Sequence, residues 1–336
     1  MERPCVRVPR ESGEETRQRL AAADLIDRTR EIVVEDGWLY VPVESAAAIP
    51  GEYDVIAREV PTRERQRSPE DLLGWQPTYE RLGDVVLLDE DDPEKAREAA
   101  DAIVASDLRA RSVLNRASEV RGELRVREWD VLVADAADPP EPGLAPTEAI
   151  HREYGHEFLL DVTEVYFSPR LATERHRVVE QASPGECAFD MFAGVGPFAV
   201  PLAARGADVV AVDLNERAVE YLRENARRNG VADRVTAVHG DVREVAGDYE
   251  GWADRIVMNL PHSADAFVES AVAVAGDDCT LHFYDIQHED DPFGPGLRAI
   301  EAAAGDAYDV EVRTERVVRS YAPHELNVCL DVRLTR

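Results

Sequence analysis

The chain has 336 residues, 68 acidic against 38 basic side chains, and a formal net charge of −30. At ~100–200 residues per domain this length suggests two or three domains, and 44% apolar residues exclude a disordered chain. No apolar run nears the ~20 residues that span a bilayer, and the start of the chain has no signal-peptide stretch, so the expectation is a soluble cytoplasmic protein without membrane contact.

Residues 11–27 have the pattern of an amphipathic helix, and β-rich runs flank Asp36-Gly37, a hairpin signal. Residues 61–70 are polar, hold two prolines and lack an apolar period, which marks a linker after a small N-terminal α+β domain over residues 1–60. A mixed segment over residues 71–155 follows. In it we expect a strand at 84–88, a helix over 93–106, and strands near 122–127 and 131–134. Strand patterns resume at 157–161 and 164–167. From residue 187 onward strands and helices alternate to the end, with strands at 187–193, 209–213, 235–238, 256–258 and 281–286. Helices are expected at 216–229, 263–275 and 297–304. Such alternation predicts a parallel sheet covered by helices, with ligands at the carboxyl ends of its strands. The whole is an α/β protein whose Rossmann-type domain covers residues 156–336.

Two compositional features cut across these elements. Cys5, Cys187, Cys279 and Cys329 lie far apart with no paired spacing, which argues against a zinc site or disulfide framework. Every basic residue except Lys95 is arginine, and the acid excess is spread over the whole chain. Self-repulsion of this size is tolerable where salt screens it, because the Debye length falls to ~3 Å at molar ionic strength. A salt-rich cytosol is therefore expected. An ordinary acidic protein would explain the charge but not the scarcity of lysine.

The strongest local motif is Asp190-Met-Phe-Ala-Gly-Val-Gly-Pro, a strand running into a turn with Gly194 and Gly196. Its glycines let the backbone approach a ligand. The third glycine of the dinucleotide fingerprint is missing, and the acid that opens the turn repels phosphate but suits an amine. Asp213 closes the second strand, where an acid accepts hydrogen bonds from ribose hydroxyls. Asp241 closes the third, placed for an adenine amine, and Asn259-Leu260-Pro261 closes the fourth. A nucleoside without a diphosphate but with an amino-acid tail is S-adenosyl-L-methionine. A tight β–α turn without a ligand is the plainer reading of the glycines alone.

Arginines gather at 109–127, 170–177 and 313–319. Guanidiniums pair with phosphates and stack on bases, so basic islands on an acidic body suggest an RNA path, although any single one serves equally as a partner of nearby acids. Tyr166, Phe167 and Tyr321 supply aromatic faces for a base, although the first expectation for each is a place in the core.

Residues 122–128 (Gly-Glu-Leu-Arg-Val-Arg-Glu), 165–175 (Val-Tyr-Phe-Ser-Pro-Arg-Leu-Ala-Thr-Glu-Arg), 190–198, Met258-Asn-Leu-Pro and Ser320-Tyr-Ala-Pro occur in order along the chain. Together they resemble the archaeal tRNA (guanine-37-N1)-methyltransferase family, and the acidic composition points to a halophilic member. The resemblance implies an N-terminal domain that contacts the tRNA outer corner, a middle RNA-binding domain, and a Rossmann-type methyltransferase domain. The implied partner is tRNA with G37 beside the anticodon, met by a monomer. It also implies Glu174 as general base, Arg125 stabilising charge on O6, and Asn259 orienting the guanine. For the cofactor it implies Arg175 near the methionine end, with Asp190, Gly194, Gly196 and Pro261. Asp213 with Leu214 belongs at the ribose, and Asp241 with Val242 at the adenine. Arg121, Arg127, Tyr166, Arg170, Arg319 and Tyr321 are the expected RNA contacts. No metal-ligand spacing is evident. A related aminocarboxypropyl transferase of wyosine-type modification is the nearest alternative, a dual-function methyltransferase a second. A tRNA-binding protein without activity is a third, against which the intact motifs speak.

Overall fold

The computed structural model describes residues 2–51, 53–62, 67–119, 122–261 and 263–336, and all elements below belong to these. The chain divides into two compact units, Met1–Ser68 and Pro69–Arg336.

In the first unit β1 (Glu2–Pro9), α1 (Gly13–Ala22), β2 (Val33–Glu35), β3 (Trp38–Pro42) and β4 (Asp54–Glu59) build an antiparallel sheet of order β2-β3-β1-β4. Asp36 and Gly37 sit at φ 50° and 82°, the left-handed pair that a two-residue hairpin turn needs. Val6 and Val8 alternate onto one face of β1 and pack with Leu20 of α1 and with Val41 and Val43, closing a small core. The helix is shorter than the polar pattern suggests, ending at Ala22.

The second unit begins with α2 (Pro69–Leu73), β5 (Tyr79–Leu82), β6 (Val85–Leu88), α3 (Pro93–Ala105), β7 (Ser112–Arg116) and β8 (Trp129–Val133). Its strands form the sheet β5-β6-β7-β8, in which β6 and β7 are parallel. Asp92 caps α3 by accepting from the Glu94 and Lys95 amides, and Pro93 follows at the first helical position, so the sequence starts this helix unambiguously. The strand expected at 122–127 is instead a run of turns, with Gly122 at φ 68° and Arg125 at φ 56°.

A hairpin of β9 (Glu148–Glu153) and β10 (His156–Asp161) leads to α4 (Ala172–Val179). The strand expected at 164–167 is also a turn: Asp161 accepts from the Thr163 amide and hydroxyl, and this local side-chain bond ends the ladder. Then follow β11 (Cys187–Asp190), α5 (Ala199–Ala204), β12 (Asp208–Asp213), α6 (Glu216–Arg228), β13 (Val235–His239), α7 (Val242–Val245) and β14 (Ala253–Met258). The chain closes with α8 (Val268–Val274), β15 (Ala275–His288), α9 (Gly294–Ala304), β16 (Asp309–Ala322) and β17 (Glu325–Thr335). The sheet order is β13-β12-β11-β14-β15-β17-β16, parallel except for the antiparallel β17. Its strands read as near-continuous Val, Ile, Ala and Phe because helices cover both faces: cluster cores lie on either side of β11 and β12. Strand order reverses between β11 and β14, and that switch point places the site.

Candidate active site

At the switch point Asp190 ends β11 almost wholly buried, and neither carboxylate oxygen has a hydrogen-bond partner. Burial pushes its carboxyl up to about 7, against a weak pull from the Phe192 amide and with a further push from Asp213. An orphaned buried carboxyl invites a cationic donor, so the site fits the ammonium end of an amino-acid-bearing nucleoside.

Gly194, at φ 53°, donates its amide to Asp213 across 2.6 Å, and the Asn215 amide meets the other Asp213 oxygen at 2.8 Å. Asp213 therefore props the Gly-rich turn, with Leu214 beside it exposed. Burial raises its carboxyl, while the Asn215 and Gly194 amides hold it down. Gly196 is also required by packing: a Cβ there would lie 2.4 Å from Leu222 of α6, at a backbone φ of 90°. Pro197 precedes α5 by two residues.

Asp241 caps α7 through the Arg243 amide at 2.9 Å and pairs with the Arg243 guanidinium, which holds its carboxyl below the usual range. Its oxygens are thus engaged locally, and the Val242 side chain lies in the core. Arg175 is tied to the hairpin. Its buried guanidinium binds Glu153 of β9 (Nε to Oε2, 3.0 Å) and the Ser168 carbonyl (Nη2, 3.0 Å), under the Phe167 ring. These bonds join α4 to the hairpin and engage Nε and Nη2 of its five-donor fork.

Between the middle sheet and the methyltransferase sheet lies a cleft lined by Arg125, Arg127, Trp129, Tyr166, Arg170 and Arg319, among others. Arg125 stands over the Tyr166 ring (5.6 Å) and donates to the Pro261 carbonyl (3.3 Å), so the left-handed turn aims it at the Asn259-Leu260-Pro261 loop. Asn259 itself follows Met258, which pairs with Phe283 at the top of the sheet. Arg170 is paired with Glu80, Arg127 lies over Trp129, and the Arg319 Nε is buried without a partner. Trp129 Nε1 donates to the Val162 carbonyl at 2.9 Å and so holds the cleft floor. Tyr166 and Tyr321 are exposed, not core, and only the first lines the cleft; Phe167 is partly buried against the core. Arg121 lies outside the described residues.

The arginine clusters are less available than the sequence suggests. Arg111 is completely buried, clamping Asp84 and the Ala145 and Glu148 carbonyls. Arg116 is taken by Asp89, Asp91 and Glu119.

Glu174 is buried, but no apolar wall surrounds it. Arg177 Nε reaches both its oxygens at 3.0 Å, Tyr284 donates its hydroxyl at 3.0 Å, and Arg316 pairs with Oε2 at 2.9 Å. Burial lifts the Tyr284 phenol well above its ordinary value, so it stays protonated and donating. Arg177 continues to Asp331, which accepts from His282 Nδ1 at 2.6 Å, and Arg255 lies 2.7 Å from His282 Nε2. Burial holds the imidazole below its ordinary value; with the Arg255 guanidinium donating toward Nε2, Nδ1 is the ring nitrogen that donates to Asp331. His282, Cys329 and Asp331 gather potential metal ligands that sequence spacing did not reveal. Arg177 and Arg255 already fill the places a cation would need. Of these partners, Arg177 lies one helical turn from Glu174 and Arg316 belongs to the 313–319 arginine cluster; Tyr284, His282, Arg255 and Asp331 carried no signal in the sequence.

A Rossmann-type sheet thus holds a buried, unpartnered carboxylate at its switch point, with a cleft lined by arginines and aromatic rings in the same unit. Residues 149–313 match the TRM5/TYW2 methyltransferase domain, and residues 5–49 match the tRNA methyltransferase 5 N-terminal domain. The chain is 37% identical to the tRNA (guanine(37)-N(1))-methyltransferase Trm5b of Pyrococcus abyssi over 98% of its own length and 99% of that protein. It is 33% identical to the tRNA(Phe) (4-demethylwyosine(37)-C(7)) aminocarboxypropyltransferase of Pyrococcus horikoshii, over 79% of this chain and 92% of that one. Among solved structures it superposes on the complex of aTrm5 and tRNALeu with TM-score 0.70 and 28% identity, over 98% and 99% of the two chains. The chain belongs to the TRM5 family of tRNA methyltransferases.

Proposed function

We infer that this enzyme transfers a methyl group to N1 of guanosine 37 of tRNA, next to the anticodon, with Glu174 as the general base. The activity itself rests on the relative matched from end to end, and the methyl donor is S-adenosyl-L-methionine. The observation that supports the residue assignment is the meeting of Arg125 with the Pro261 carbonyl in the Asn259-Leu260-Pro261 loop, which ends the strand paired with β15, the strand whose Tyr284 donates to Glu174.

Bound adenosylmethionine would supply the methyl group, its sulfur–methyl bond breaking with the electron pair left on sulfur so that S-adenosyl-L-homocysteine is the leaving group. As the N1–methyl bond forms, the N1–H bond breaks, its electron pair stays on the ring and the proton passes to a Glu174 oxygen. Arg125 meets the charge that develops on O6, a contribution on the order of 10²–10³ in rate for a preplaced donor. Asn259 orients the base, and Asp190 takes the ammonium end of the cofactor. Arg127, Tyr166, Arg170 and Arg319 contact the anticodon loop, and the first unit contacts the tRNA outer corner of a single, monomeric complex. The wide match to a methyltransferase and the Asn259-Leu260-Pro261 loop favour methyl over aminocarboxypropyl transfer. The acid-coated, lysine-poor chain supports work in a salt-rich cytosol.

Labelled adenosylmethionine, incubated with G37 and A37 transcripts in molar KCl, tests the reaction. Label recovered as 1-methylguanosine from the G37 transcript alone is expected. Glu174→Gln should lower kcat by about 10²–10⁴ with adenosylmethionine binding intact; full activity in that variant would remove Glu174 from the mechanism.

A further inference from the structure

Asparagine is a poor helix former, because its amide competes for nearby backbone groups, yet α6 carries Asn225 in its interior and Asn229 at its C-cap. Both carboxamides turn to the outer edge of β10, the side not paired with β9. Asn229 accepts from the Glu157 amide at 3.0 Å and donates to the Glu157 carbonyl at 2.7 Å. Asn225 does the same at Leu159, accepting at 2.7 Å and donating at 3.1 Å. The pair thus stands in for a neighbouring strand. Their remaining hydrogens differ. Asn225, fully buried, donates to the Val195 carbonyl at 2.9 Å, inside the glycine-rich turn. Asn229 donates to the Asn225 carbonyl of its own helix.

We propose that Asn225 is a positioning residue for adenosylmethionine, acting through the turn that receives it. Gly194 and Gly196 stand at φ 53° and 90°, and glycine takes many orientations at little steric cost, so the backbone alone does not fix the Val195–Gly196 peptide. That peptide is pinned at both ends. Its N–H meets the Ala193 carbonyl at 2.9 Å, and its carbonyl meets Asn225. Without the second bond the turn divides among orientations, and cofactor affinity falls by the fraction that still fits. A turn already held by bound cofactor has its normal shape, so kcat at saturation is kept. Asn229 supports the same strand without touching the turn. The argument rests on the reading of this turn as the adenosylmethionine site.

The test is calorimetric titration of adenosylmethionine in molar KCl with wild type, Asn225→Ala, Asn225→Asp and Asn229→Ala, beside thermal melts of the ligand-free proteins. Asn225→Asp keeps an acceptor for the Leu159 amide and carries the comparison if the alanine variant does not fold. A lost hydrogen bond of this kind is worth about fivefold. The dissociation constant should therefore rise about fivefold or more in the Asn225 variants and stay within about twofold of wild type in Asn229→Ala, although all three melt earlier. Methyl transfer at saturating adenosylmethionine should keep a kcat near wild type. Equal weakening in Asn229→Ala ties affinity to overall stability and overturns the proposal, as does unchanged affinity in the Asn225 variants. Asp190→Asn, titrated alongside, separates the two readings. Wild-type affinity there removes the cofactor from this turn; weak binding there with wild-type binding in the Asn225 variants overturns the positioning role alone.

Discussion

Arg125 donates from Nη1 to the carbonyl of Pro261 across 3.3 Å, joining a turn of the middle segment to the loop that ends β14. The contact spans 136 residues of sequence and aligns a cation, an amide side chain and the end of the sheet in one place.

Arg125 sits at φ 56°, a left-handed conformation that costs a non-glycine residue roughly 1–2 kcal/mol. Arg125→Gly relieves that cost while removing the cation. The expected outcome is a melting temperature equal to or above wild type together with a kcat lower by about 10²-fold or more. A variant that melts earlier and keeps its kcat contradicts both halves of this account.

Asp190 gives the cofactor site a pH dependence. Its folded carboxyl lies at about 7, far above the ordinary 3.8, because burial disfavours the charged form. Between these values the folded protein holds a proton that the unfolded chain has lost, so the ligand-free enzyme loses stability from this group as pH rises from about 4 to about 7. An ammonium partner needs the ionised form, so affinity for adenosylmethionine should run the other way, tightening about tenfold from pH 6 to pH 8. Calorimetric titration of wild type and Asp190→Asn checks it. An equal slope in the two proteins assigns the effect to another group.

Arg177 bridges two nearly buried carboxylates, Glu174 and Asp331. Despite burial, hydrogen bonds from His282 and Arg177 keep the Asp331 carboxyl far below its usual range. Arg177→Met leaves Glu174 to Arg316 and Tyr284 and leaves Asp331 to His282, with one positive charge fewer between two nearly buried acids, and should destabilise by about 3–5 kcal/mol. Adding Asp331→Asn should recover part of this, so urea melts of the two single variants and the double must be non-additive. Simple additivity would mean that the two groups do not share one network.

The charge of −30 predicts a salt requirement. Many exposed arginines are already paired with acids, as in Arg7–Asp54, Arg205–Glu180 and Arg333–Asp278, so the uncompensated carboxylates are what salt must screen. Dialysis from molar KCl to about 0.1 M should lower the melting temperature by more than ten degrees. A flat profile would return the composition to that of an ordinary acidic protein.

What the sequence determined by itself is what local chemistry decides. Period and punctuation gave the Asp36-Gly37 hairpin, the Asp92-capped helix and the alternating strands that end in Asp190, Asp213, Asp241 and Asn259, because caps, turns and side-chain periodicity act within a few residues. The turns at 122–127 and 164–167 escaped that reading. In each, a left-handed residue or an Asx bond outweighed an apolar alternation that looks like a strand. Tertiary structure alone decided how the arginines divide. Arg111, Arg175 and Arg177 carry the same side chain as Arg125 and Arg316, yet the first three are locked inside ion pairs with little exposure, Arg125 meets the Pro261 loop, and Arg316 reaches Glu174 from an exposed stem. Partners such as Glu153, Tyr284 and Asp331 lie up to 154 residues away along the chain, and only folding fixes which carboxylate reaches which guanidinium. Charge in an ion pair is set by distance in space, and that distance is not written in the spacing of the sequence.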